Sequence, residues 1–462
     1  MTTLLSTPGG FPRLLTAGFG APDPTDLDAA VASGAFDGLK RAVREHGPTD
    51  TIAQLRVSGL RGRGGGGFPT AEKWHAAATA VAGTAVAATA GATAGAATAG
   101  AGTRYVVANG YEADPSTFVA RALMEERPYL VVEGVTIAAF AVGAREAIIA
   151  VRAEYAEAVR RLEVAVAQAE EAGFLGTDVL GSGRDIHVTV RPVQGAYMLG
   201  EETVLLKALE GKRGQPEQRP PYPAERGLFG APTVVNDVVT LAAVPWILAH
   251  GAAAFAAIGD PAAPGTFLVQ VAGAVEEPGI AEVPTGTPLR EIVDLAGGVP
   301  AGHRLKAVLV GGPSGGLLPP RELDTPYSFA ALREVGAHVG SGSILVADER
   351  ACVVDLATLL TRFCADEACG KTIPCRIGLR RLTEIGERFT SGRARPTDVA
   401  LATDLSRDIV ASALCDHERR ATGPLTTVLR YFRPELDEHL LRSACPAGVC
   451  HPLAVTSAAP AH

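Results

Sequence analysis

The chain of 462 residues has little of what marks several large classes of protein. Its net charge of −8 argues against a nucleic-acid-binding protein, which would usually present a basic face. A strongly apolar run of about 20 residues, which a membrane-spanning helix needs, is missing. The first 20 residues do not resemble a secretory signal. We therefore expect a cytoplasmic protein with no direct membrane insertion, at most peripheral to a membrane complex.

Cysteine is absent from the first 351 residues, and all seven cysteines follow that point. An odd number of cysteines gathered in one region does not suit the disulfide framework of a secreted protein. The distribution predicts a reducing compartment, with metal or redox chemistry in the last quarter of the chain.

Glycine is abundant, with 53 residues, and six of them lie between Gly59 and Gly67. A glycine run lets the backbone approach a ligand closely and turn its N–H groups onto an anion. Arg61, Arg63 and Lys73 add positive charge to this segment, which predicts a site for a phosphate-bearing cofactor. The alternative, a flexible linker, is disfavoured because linkers lack an ordered Arg-Gly-Arg and Phe-Pro-Thr.

Apolar runs and amphipathic segments divide the chain into parts. Strands predicted at 105–108, 147–151 and 186–193 alternate with helices at 133–142 and 154–172, which indicates a largely parallel α/β sheet in residues 51–255. Residues 1–50 form a lead-in with a short helix that Thr25 would cap. Residues 75–103 are mostly Ala, Gly and Thr and are predicted to be a low-complexity insertion.

The second half of the chain changes character. Residues 262–335 combine short strands with one helix and predict a small β-grasp domain, closed by a structural turn at 311–316. Residues 343–442 begin with a strand and a helix and predict an all-α domain, with three or four helices after Glu367. Residues 443–462 form a tail that carries a cysteine pair.

Polar residues follow several predicted strands and glycines, where α/β proteins often bind ligands. They form the segments Asn109–Asp114, Gly200–Glu202 and Asn236–Asp237. A solvated turn is the alternative explanation of the first of these segments. Helix capping would explain the other two.

Three cysteines are candidates for an iron–sulfur site, namely Cys369, Cys375 and Cys415. Thr372 stands midway between the first two, where a cysteine would complete a C-x2-C-x2-C motif. Cys352 and Cys364 are interpreted as buried structural cysteines, although Cys364 could also complete the cluster. The pair Cys445 and Cys450 is open to three interpretations: a zinc half-site, ligands for a partner's cluster, or unligated thiols.

Several ordered motifs resemble one family. In chain order they read G-L-R-G-R-G-G-G-G-F-P-T-A-E-K-W, G-A-Y-M-L-G-E-E-T, R-P-P-Y-P-A, P-T-V-V-N-D-V-V-T-L, G-G-P-S-G-G, C-G-K-T-I-P-C-R-I-G and V-L-R-Y-F. From about Leu55 to Leu440 the chain resembles, as a divergent member, the NADH-oxidising flavoprotein subunit of respiratory NADH:quinone oxidoreductase (complex I). It is also similar to the diaphorase subunits of NAD-linked hydrogenases and formate dehydrogenases.

The resemblance implies a Rossmann-like FMN/NADH domain, a small β-grasp (SLBB-like) domain and a C-terminal helical bundle with a [4Fe-4S] cluster. It implies an NADH dehydrogenase that passes a hydride from NADH to FMN and single electrons onward through the cluster. No side chain is expected to act as acid, base or nucleophile. The implied partners are other subunits of a redox complex, including a ferredoxin-like electron-transfer subunit. NADH is favoured over NADPH because Glu201, Glu202 and Asp114 disfavour a further phosphate.

The residues that the resemblance assigns to the cofactors lie in the glycine segment and at the strand ends. For FMN and NADH they are Gly62, Gly64, Gly65, Gly67, Phe68, Lys73, Asn109, Glu112, Asp114, Gly200, Glu201, Glu202, Tyr222, Asn236 and Thr240. For the cluster they are Cys369, Cys375 and Cys415.

The chain departs from the family pattern at four positions. Tyr111 replaces an aspartate, Asp114 a glutamate, Asp237 an asparagine and Thr372 the middle cysteine of the cluster motif. The predicted insertion also begins just after Trp74, where the family has another aromatic residue. These changes leave two alternatives to the main hypothesis: a flavoprotein of the same fold without a working cluster, or a non-catalytic assembly subunit.

Overall fold

A computed structural model describes residues 3–7, 11–80, 102–451 and 453–454. Within these residues the chain forms two β-sheets, helices that cover the first sheet, and a group of helices near the C-terminus. This arrangement confirms the predicted fold class.

The first sheet consists of four parallel strands in the order β3-β2-β1-β4. The strands are β1 (Tyr105–Gly110), β2 (Glu146–Arg152), β3 (His187–Val193) and β4 (Thr233–Asp237). Because they are parallel, their carboxyl ends meet at one edge, where Asn109 of β1 pairs in register with Asp237 of β4. The predicted parallel sheet is confirmed, and this edge brings the polar strand-end segments together.

Ten helices accompany this sheet in the part of the chain that the structure describes. They are α1 (Leu27–Ala32), α2 (Asp37–Arg41), α3 (Gly47–Ser58), α4 (Thr70–Thr79), α5 (Val119–Glu126), α6 (Pro128–Val142), α7 (Ala156–Glu171), α8 (Glu202–Leu209), α9 (Val238–His250) and α10 (Ala252–Ala256). Helices α6 and α9 approach so closely that a Cβ on Gly134 would lie 2.1 Å from the carbonyl oxygen of Leu241. Glycine is therefore required at this helix crossing.

Two predictions for this region need correction. The N-cap of α1 is Asp26 and not Thr25, because the Asp26 carboxylate accepts the N–H of Ala29 at 2.9 Å. The predicted insertion 75–103 also begins later than expected, because residues 75–79 complete α4. Most of its remaining part, residues 81–101, lies outside the described residues.

The second sheet has five strands in the order β6-β5-β9-β7-β8. They are β5 (Thr266–Gly273), β6 (Gly279–Pro284), β7 (Leu305–Val310), β8 (Gly316–Leu318) and β9 (Ser343–Asp348), with helices α11 (Leu289–Leu295) and α12 (Phe329–Glu334) beside them. Strand β9 pairs with both β5 and β7. The sheet therefore extends past the boundary predicted at residue 335, since β9 lies at its centre. The glycine segment 311–316 forms the predicted turn between β7 and β8.

Helix α13 (Val353–Asp366) opens the C-terminal group. It is followed by α14 (Leu379–Thr390), α15 (Asp398–Ala411), α16 (Asp416–Arg420), α17 (Gly423–Tyr431) and α18 (Arg433–Arg442). Within the described residues five α-helices thus follow Glu367, more than the three or four predicted, because α16 is a single short helix without an amphipathic pattern of its own. In the described ranges, no helix has the length and hydropathy needed to cross a bilayer.

Candidate cofactor and iron–sulfur sites

The glycine segment is an ordered loop that closes on itself between α3 and α4. Gly59 ends α3 with a positive φ of 69°. The N–H of Gly62 donates to the carbonyl of Phe68 at 2.9 Å, and the N–H of Thr70 donates to the carbonyl of Leu60 at 2.9 Å. These bonds fix the loop, which is not what a flexible linker would show.

The junction between β4 and α9 holds this loop in place. The N–H of Arg63 donates to Thr240 Oγ1 at 2.7 Å, and the N–H of Gly64 donates to Asp237 Oδ2 at 2.9 Å. Asp237 also accepts the N–H of Thr240 at 2.9 Å, so it caps α9, as one interpretation of the sequence predicted. One N–H group of the glycine loop is therefore already hydrogen-bonded to the carboxylate of Asp237.

The side chain of Arg63 is buried beneath the loop. Its guanidinium lies 4.6 Å from the centre of the Phe267 ring and donates from Nη2 to the carbonyl of Pro264. Burial lowers the pKa of Arg63 to about 10. Its Nε and Nη1, and the buried hydroxyl of Thr70 at the start of α4, have no hydrogen-bond partner in the described structure. Buried donors without partners fit a site that takes an anion such as a phosphate.

Lys73 connects α4 to the first turn of α8. Its Nζ lies 3.0 Å from Glu202 Oε2 and 2.9 Å from the carbonyl oxygen of Val235. Glu202 also pairs with Arg219 at 3.0 Å. Two of the predicted cofactor residues, Lys73 and Glu202, thus meet above the carboxyl end of β4.

The ends of β1 and β4 carry two further contacts between predicted residues and their neighbours. Asn109 Nδ2 donates to the carbonyl of Gly200 at 3.1 Å. Trp74 Nε1 donates to the side-chain oxygen of Asn236 at 3.0 Å. The structure therefore gathers the glycine loop, Lys73 and the segments after β1, β3 and β4 around one edge of the sheet.

Glu112 has a structural role that the sequence reasoning missed. Both of its oxygens accept N–H groups from the start of α5, those of Ala120 at 2.7 Å and Arg121 at 3.0 Å. Burial raises the pKa of Glu112 to about 8. Its positive φ of 46° turns the backbone so that the side chain reaches this helix.

Asp114 and Glu201 are also engaged within the chain. Asp114 is buried, accepts the N–H of Ser116 at 2.9 Å, and lies so near Gly312 that a Cβ there would be 2.1 Å from its Oδ2. This burial removes the basis for expecting Asp114 to disfavour an extra cofactor phosphate. Glu201 caps α8 by accepting the N–H of Val204 at 2.9 Å, which confirms the capping interpretation for this residue.

Tyr111, which stands where the family has an aspartate, is part of the protein core. Its ring is buried, its hydroxyl donates to the carbonyl of Gly195, and the guanidinium of Arg152 lies 5.4 Å from its ring centre. Two other aromatic residues, Phe68 and Tyr222, are 55% and 53% exposed. Exposed rings suit stacking against a planar ligand.

The three predicted cluster cysteines lie in one neighbourhood. Burial, together with the nearby Glu418, Cys415 and Cys369, raises the pKa of Cys375 to about 12. Burial likewise raises the pKa of Cys415 to about 11, with Cys369 among its neighbours. Thiols brought together in this way are the donors that iron–sulfur clusters use.

Thr372 places an oxygen where the family has a cysteine. Its hydroxyl donates to Glu418 Oε1 at 2.8 Å, and Glu418 Oε2 accepts the N–H of Leu414 at 2.8 Å. Glu418 is only 1% exposed, and sequence reasoning missed it. The thiol of Cys364, the other candidate ligand, donates to the carbonyl of Pro313 at 3.5 Å. Thr372 and Cys364, the two candidates for a fourth ligand, are therefore both hydrogen-bonded within the chain.

Helix α16, which follows Cys415, connects the cysteine region to the glycine loop. Arg420 Nη2 donates to the carbonyl oxygen of Gly65 at 3.1 Å. Cys369 and Cys415 also pack against an apolar cluster that includes Met198 and Leu199, just before the Gly200–Glu202 segment. The two candidate sites are adjacent.

Models of three protein families match consecutive parts of the chain. The Nuo51 FMN-binding domain matches residues 55–246, the SLBB domain residues 268–318, and the NADH-ubiquinone oxidoreductase-F iron–sulfur binding region residues 355–439. Their order agrees with the three parts that the sequence predicted.

Curated relatives match most of the chain. The HndC protein of the NADP-reducing hydrogenase of Solidesulfovibrio fructosivorans is 38% identical over 97% of this chain and 88% of its own length. An NADH-quinone oxidoreductase subunit of Rhizobium meliloti is 38% identical over 94% of this chain and 99% of its own length. A solved NAD+-reducing [NiFe]-hydrogenase in the H2-reduced state superposes with a TM-score of 0.79 and 31% identity, covering 95% of this chain and 68% of that one. The chain therefore belongs to the family of NADH-oxidising FMN flavoprotein subunits of NADH-quinone oxidoreductase, which carry a [4Fe-4S] binding region.

Proposed function

We propose that this chain oxidises NADH with FMN held at the glycine loop, and passes the electrons through a cluster at Cys369, Cys375 and Cys415 to a partner subunit. The observation that carries this proposal is the contact between Arg420 and Gly65, at 3.1 Å, because it joins the two sites. When bound, FMN accepts a hydride from NADH and releases electrons singly, which couples a two-electron donor to a one-electron cluster.

The glycine loop supplies the FMN site in this proposal. The N–H groups of Gly62, Arg63 and Gly64 are bonded within the chain, and the bond from Arg63 to Thr240 keeps the loop closed. In this proposal the N–H groups from Gly65 to Gly67 and the charge of Lys73 face the anionic cofactor. The unpaired nitrogens of Arg63 support a phosphate nearby. Asp237 disfavours a phosphate at this position, because its carboxylate already accepts the N–H of Gly64.

The strand-end residues complete the pocket. Asn109, Gly200 and Asn236 line the sheet edge beside the loop. Glu201 and Glu202 are paired with Arg219, and Glu202 also with Lys73, so they leave little positive charge for a further phosphate, which favours NADH over NADPH. Glu112 and Asp114 contribute by fixing the loop after β1, since their oxygens are bonded within the chain. The exposed rings that suit stacking with nicotinamide or adenine are those of Phe68 and Tyr222. Every one of these residues binds or orients, and none is assigned an acid or base role.

The cluster site uses three thiolates, with oxygen from Thr372 or Glu418 at the fourth position. A ferredoxin-like subunit of a redox complex is the expected electron acceptor, which makes the chain a cytoplasmic component peripheral to a larger assembly. Support comes from Ile373 and Ile377, which flank Cys375 and are 66% and 45% exposed. Exposed apolar side chains beside a redox centre suit a docking face for such a subunit.

A second candidate, a flavoprotein of the same fold without a working cluster, is favoured by Thr372. Flavin and iron contents of the full chain, purified without oxygen, separate the two. Flavin with about four iron atoms per chain supports the first proposal. Flavin without iron supports the second. Absence of flavin rejects both and leaves the non-catalytic assembly role.

NADH oxidation with an artificial electron acceptor tests the choice of nucleotide. The proposal expects turnover with NADH and at least about tenfold lower kcat/KM with NADPH, which corresponds to about 1.4 kcal/mol of lost transition-state binding. Equal rates with both nucleotides would reject the role given to Glu201 and Glu202.

A further inference from the structure

A second group of metal-binding side chains lies apart from the cysteines assigned to the cluster. Cys352, His439, Cys445 and Cys450 are all buried, and one donor atom from each lies within 4.8 Å of the others. The sequence alone left the role of Cys445 and Cys450 open, and Cys352 was interpreted as a structural thiol. The fold brings these three cysteines and a histidine to one point.

The distances within this group suit a single tetrahedral ion. Cys352 Sγ lies 3.4 Å from His439 Nε2 and 3.6 Å from Cys450 Sγ. Zinc holds sulfur at about 2.3 Å and nitrogen at about 2.0 Å, so neighbouring donors of a tetrahedral site lie about 3.5–3.8 Å apart. The observed separations are close to these values.

His439 is oriented as a metal ligand through its Nε2 atom. Its Nδ1 lies 2.9 Å from the carbonyl oxygen of Glu435, one turn earlier on α18. A carbonyl can only accept, so Nδ1 carries a proton, and Nε2, which lies towards Cys352, is the ring nitrogen that can coordinate an ion. A hydrogen bond from the ring nitrogen that does not bind the metal usually fixes the tautomer of a ligating histidine.

The segment between Cys445 and Cys450 is folded as a tight loop. Gly448 has a φ of 71° and donates its N–H to the carbonyl of Cys445 at 3.0 Å. The N–H of Cys445 in turn donates to the carbonyl of Ala454 at 2.8 Å. These bonds fix the backbone of the loop that carries the two cysteines.

We propose that Cys352, His439, Cys445 and Cys450 bind one zinc ion. Four protein donors fill a tetrahedral shell, so the site has no open position for a substrate and is structural. A cluster suits it less well, because the iron and sulfide atoms of a cluster would hold the four donors further apart. The ion ties the tail after Ser443 to the end of α18 and to the start of α13.

Metal analysis of the full chain, expressed with both zinc and iron supplied, tests this site. The proposal expects about one zinc per chain, with X-ray absorption showing three sulfur ligands at about 2.3 Å and one nitrogen at about 2.0 Å. These measurements use the unaltered protein, so they do not depend on whether a variant folds. Zinc bound by fewer than three sulfurs, or no zinc at all, overturns the proposal.

Two variants separate this site from the cluster. Cys450→Ser is expected to lower bound zinc by about tenfold or more and to leave iron unchanged. Cys369→Ser is expected to lower iron and to leave zinc unchanged. Zinc retained in Cys450→Ser, iron in place of zinc in the unaltered chain, or a Cys352–Cys450 disulfide found by mass spectrometry would each contradict the assignment.

Discussion

Arg420 donates a hydrogen bond from Nη2 to the carbonyl oxygen of Gly65 at 3.1 Å. Gly65 has a φ of 91°, and a Cβ at this position would lie 3.3 Å from Arg420 Nη1. The neighbouring His338 remains neutral, because burial and the charge of Arg420 lower its pKa to about 3. The guanidinium therefore carries the local charge where α16 meets the cofactor loop.

Replacing Arg420 with methionine should weaken FMN binding. Methionine keeps much of the length of the side chain but loses a charge-assisted hydrogen bond worth about 1.5–3 kcal/mol. We expect the Kd for FMN, measured by quenching of flavin fluorescence, to rise about tenfold. Arg419→Met is the matched control on the same helix, because Arg419 is exposed and pairs with Asp416 at 3.9 Å. Equal effects of the two substitutions would refute the role of the Arg420 contact.

Replacing Asp237 with asparagine should strengthen FMN binding. Asparagine keeps one oxygen that can accept the N–H of Thr240, so it still caps α9. Its amide nitrogen cannot accept the N–H of Gly64, which therefore becomes available to the cofactor. Removing one negative charge beside an anionic cofactor is worth about 1 kcal/mol, which lowers the Kd about fivefold. The gain should shrink as salt is added, since salt screens the charge.

The control for this substitution is Asp28→Asn, which removes an exposed carboxylate from α1. It should leave the Kd unchanged at every salt concentration. Weaker FMN binding by Asp237→Asn would show that the aspartate helps to hold the cofactor, and the proposed repulsion would be wrong.

Replacing Thr372 with cysteine should raise the iron content of the chain wherever the unaltered chain is purified with fewer than about four iron atoms. The new thiolate would stand beside Cys375 in place of a hydroxyl that now donates to Glu418 at 2.8 Å. Thiolate is a better iron ligand than hydroxyl, so the cluster should also resist a chelator for longer. Thr403→Cys, an exposed position on α15, is the control for simply adding a cysteine. Unchanged iron in Thr372→Cys would mean that the fourth ligand is not what limits the cluster.

The buried carboxyl group of Glu133 should make the free energy of unfolding depend on pH. It is buried on α6 and accepts the N–H groups of Phe36 at 2.7 Å and Leu39 at 3.0 Å, and burial raises its pKa to about 7. The folded state therefore binds the Glu133 proton more tightly than the unfolded state does. The stabilisation that this provides is fully present at a pH below about 4.5, the pKa of the carboxyl group in the unfolded chain. It is lost as the pH rises through about 7, the pKa in the folded chain.

Thermal unfolding of Glu133→Gln between pH 4.5 and 8 tests this prediction. Glutamine stays neutral, so the variant should lose less of its Tm over that interval than the unaltered chain. Glu171→Gln, on the exposed face of α7, should behave like the unaltered chain. Parallel Tm curves for Glu133→Gln and the unaltered chain would contradict the prediction.

The sequence predicted the features that depend on neighbouring residues. The strand at Tyr105 is a continuous apolar run, and the loop at Gly59–Gly67 combines glycine with arginine in a short span, so both leave a local pattern. Strand β9 was assigned to the wrong side of a boundary because pairing with β5 and β7 depends on residues far away in the chain. An apolar strand followed by a helix looks the same in sequence whichever sheet it joins.

Contacts between residues that are far apart in the chain could not be predicted from the sequence either. Cys352 and His439 are 87 residues apart and Cys352 and Cys450 are 98 apart, yet their donors meet. The residues that neighbour Asp237 in sequence do not indicate that it would hold the glycine loop. Those that neighbour Glu418 do not indicate that it would lie buried beside the cysteines. Such roles follow from how the domains pack, since burial and partner geometry are set by tertiary structure.

The central claim, that NADH delivers electrons to a flavin on this chain, is tested most directly by one spectrum. The full chain is purified without oxygen, and its visible absorption is recorded before and after NADH is added. The account predicts flavin absorption that bleaches on adding NADH and returns when an oxidant is admitted. A colourless protein, or flavin absorption that NADH leaves unchanged, would contradict it.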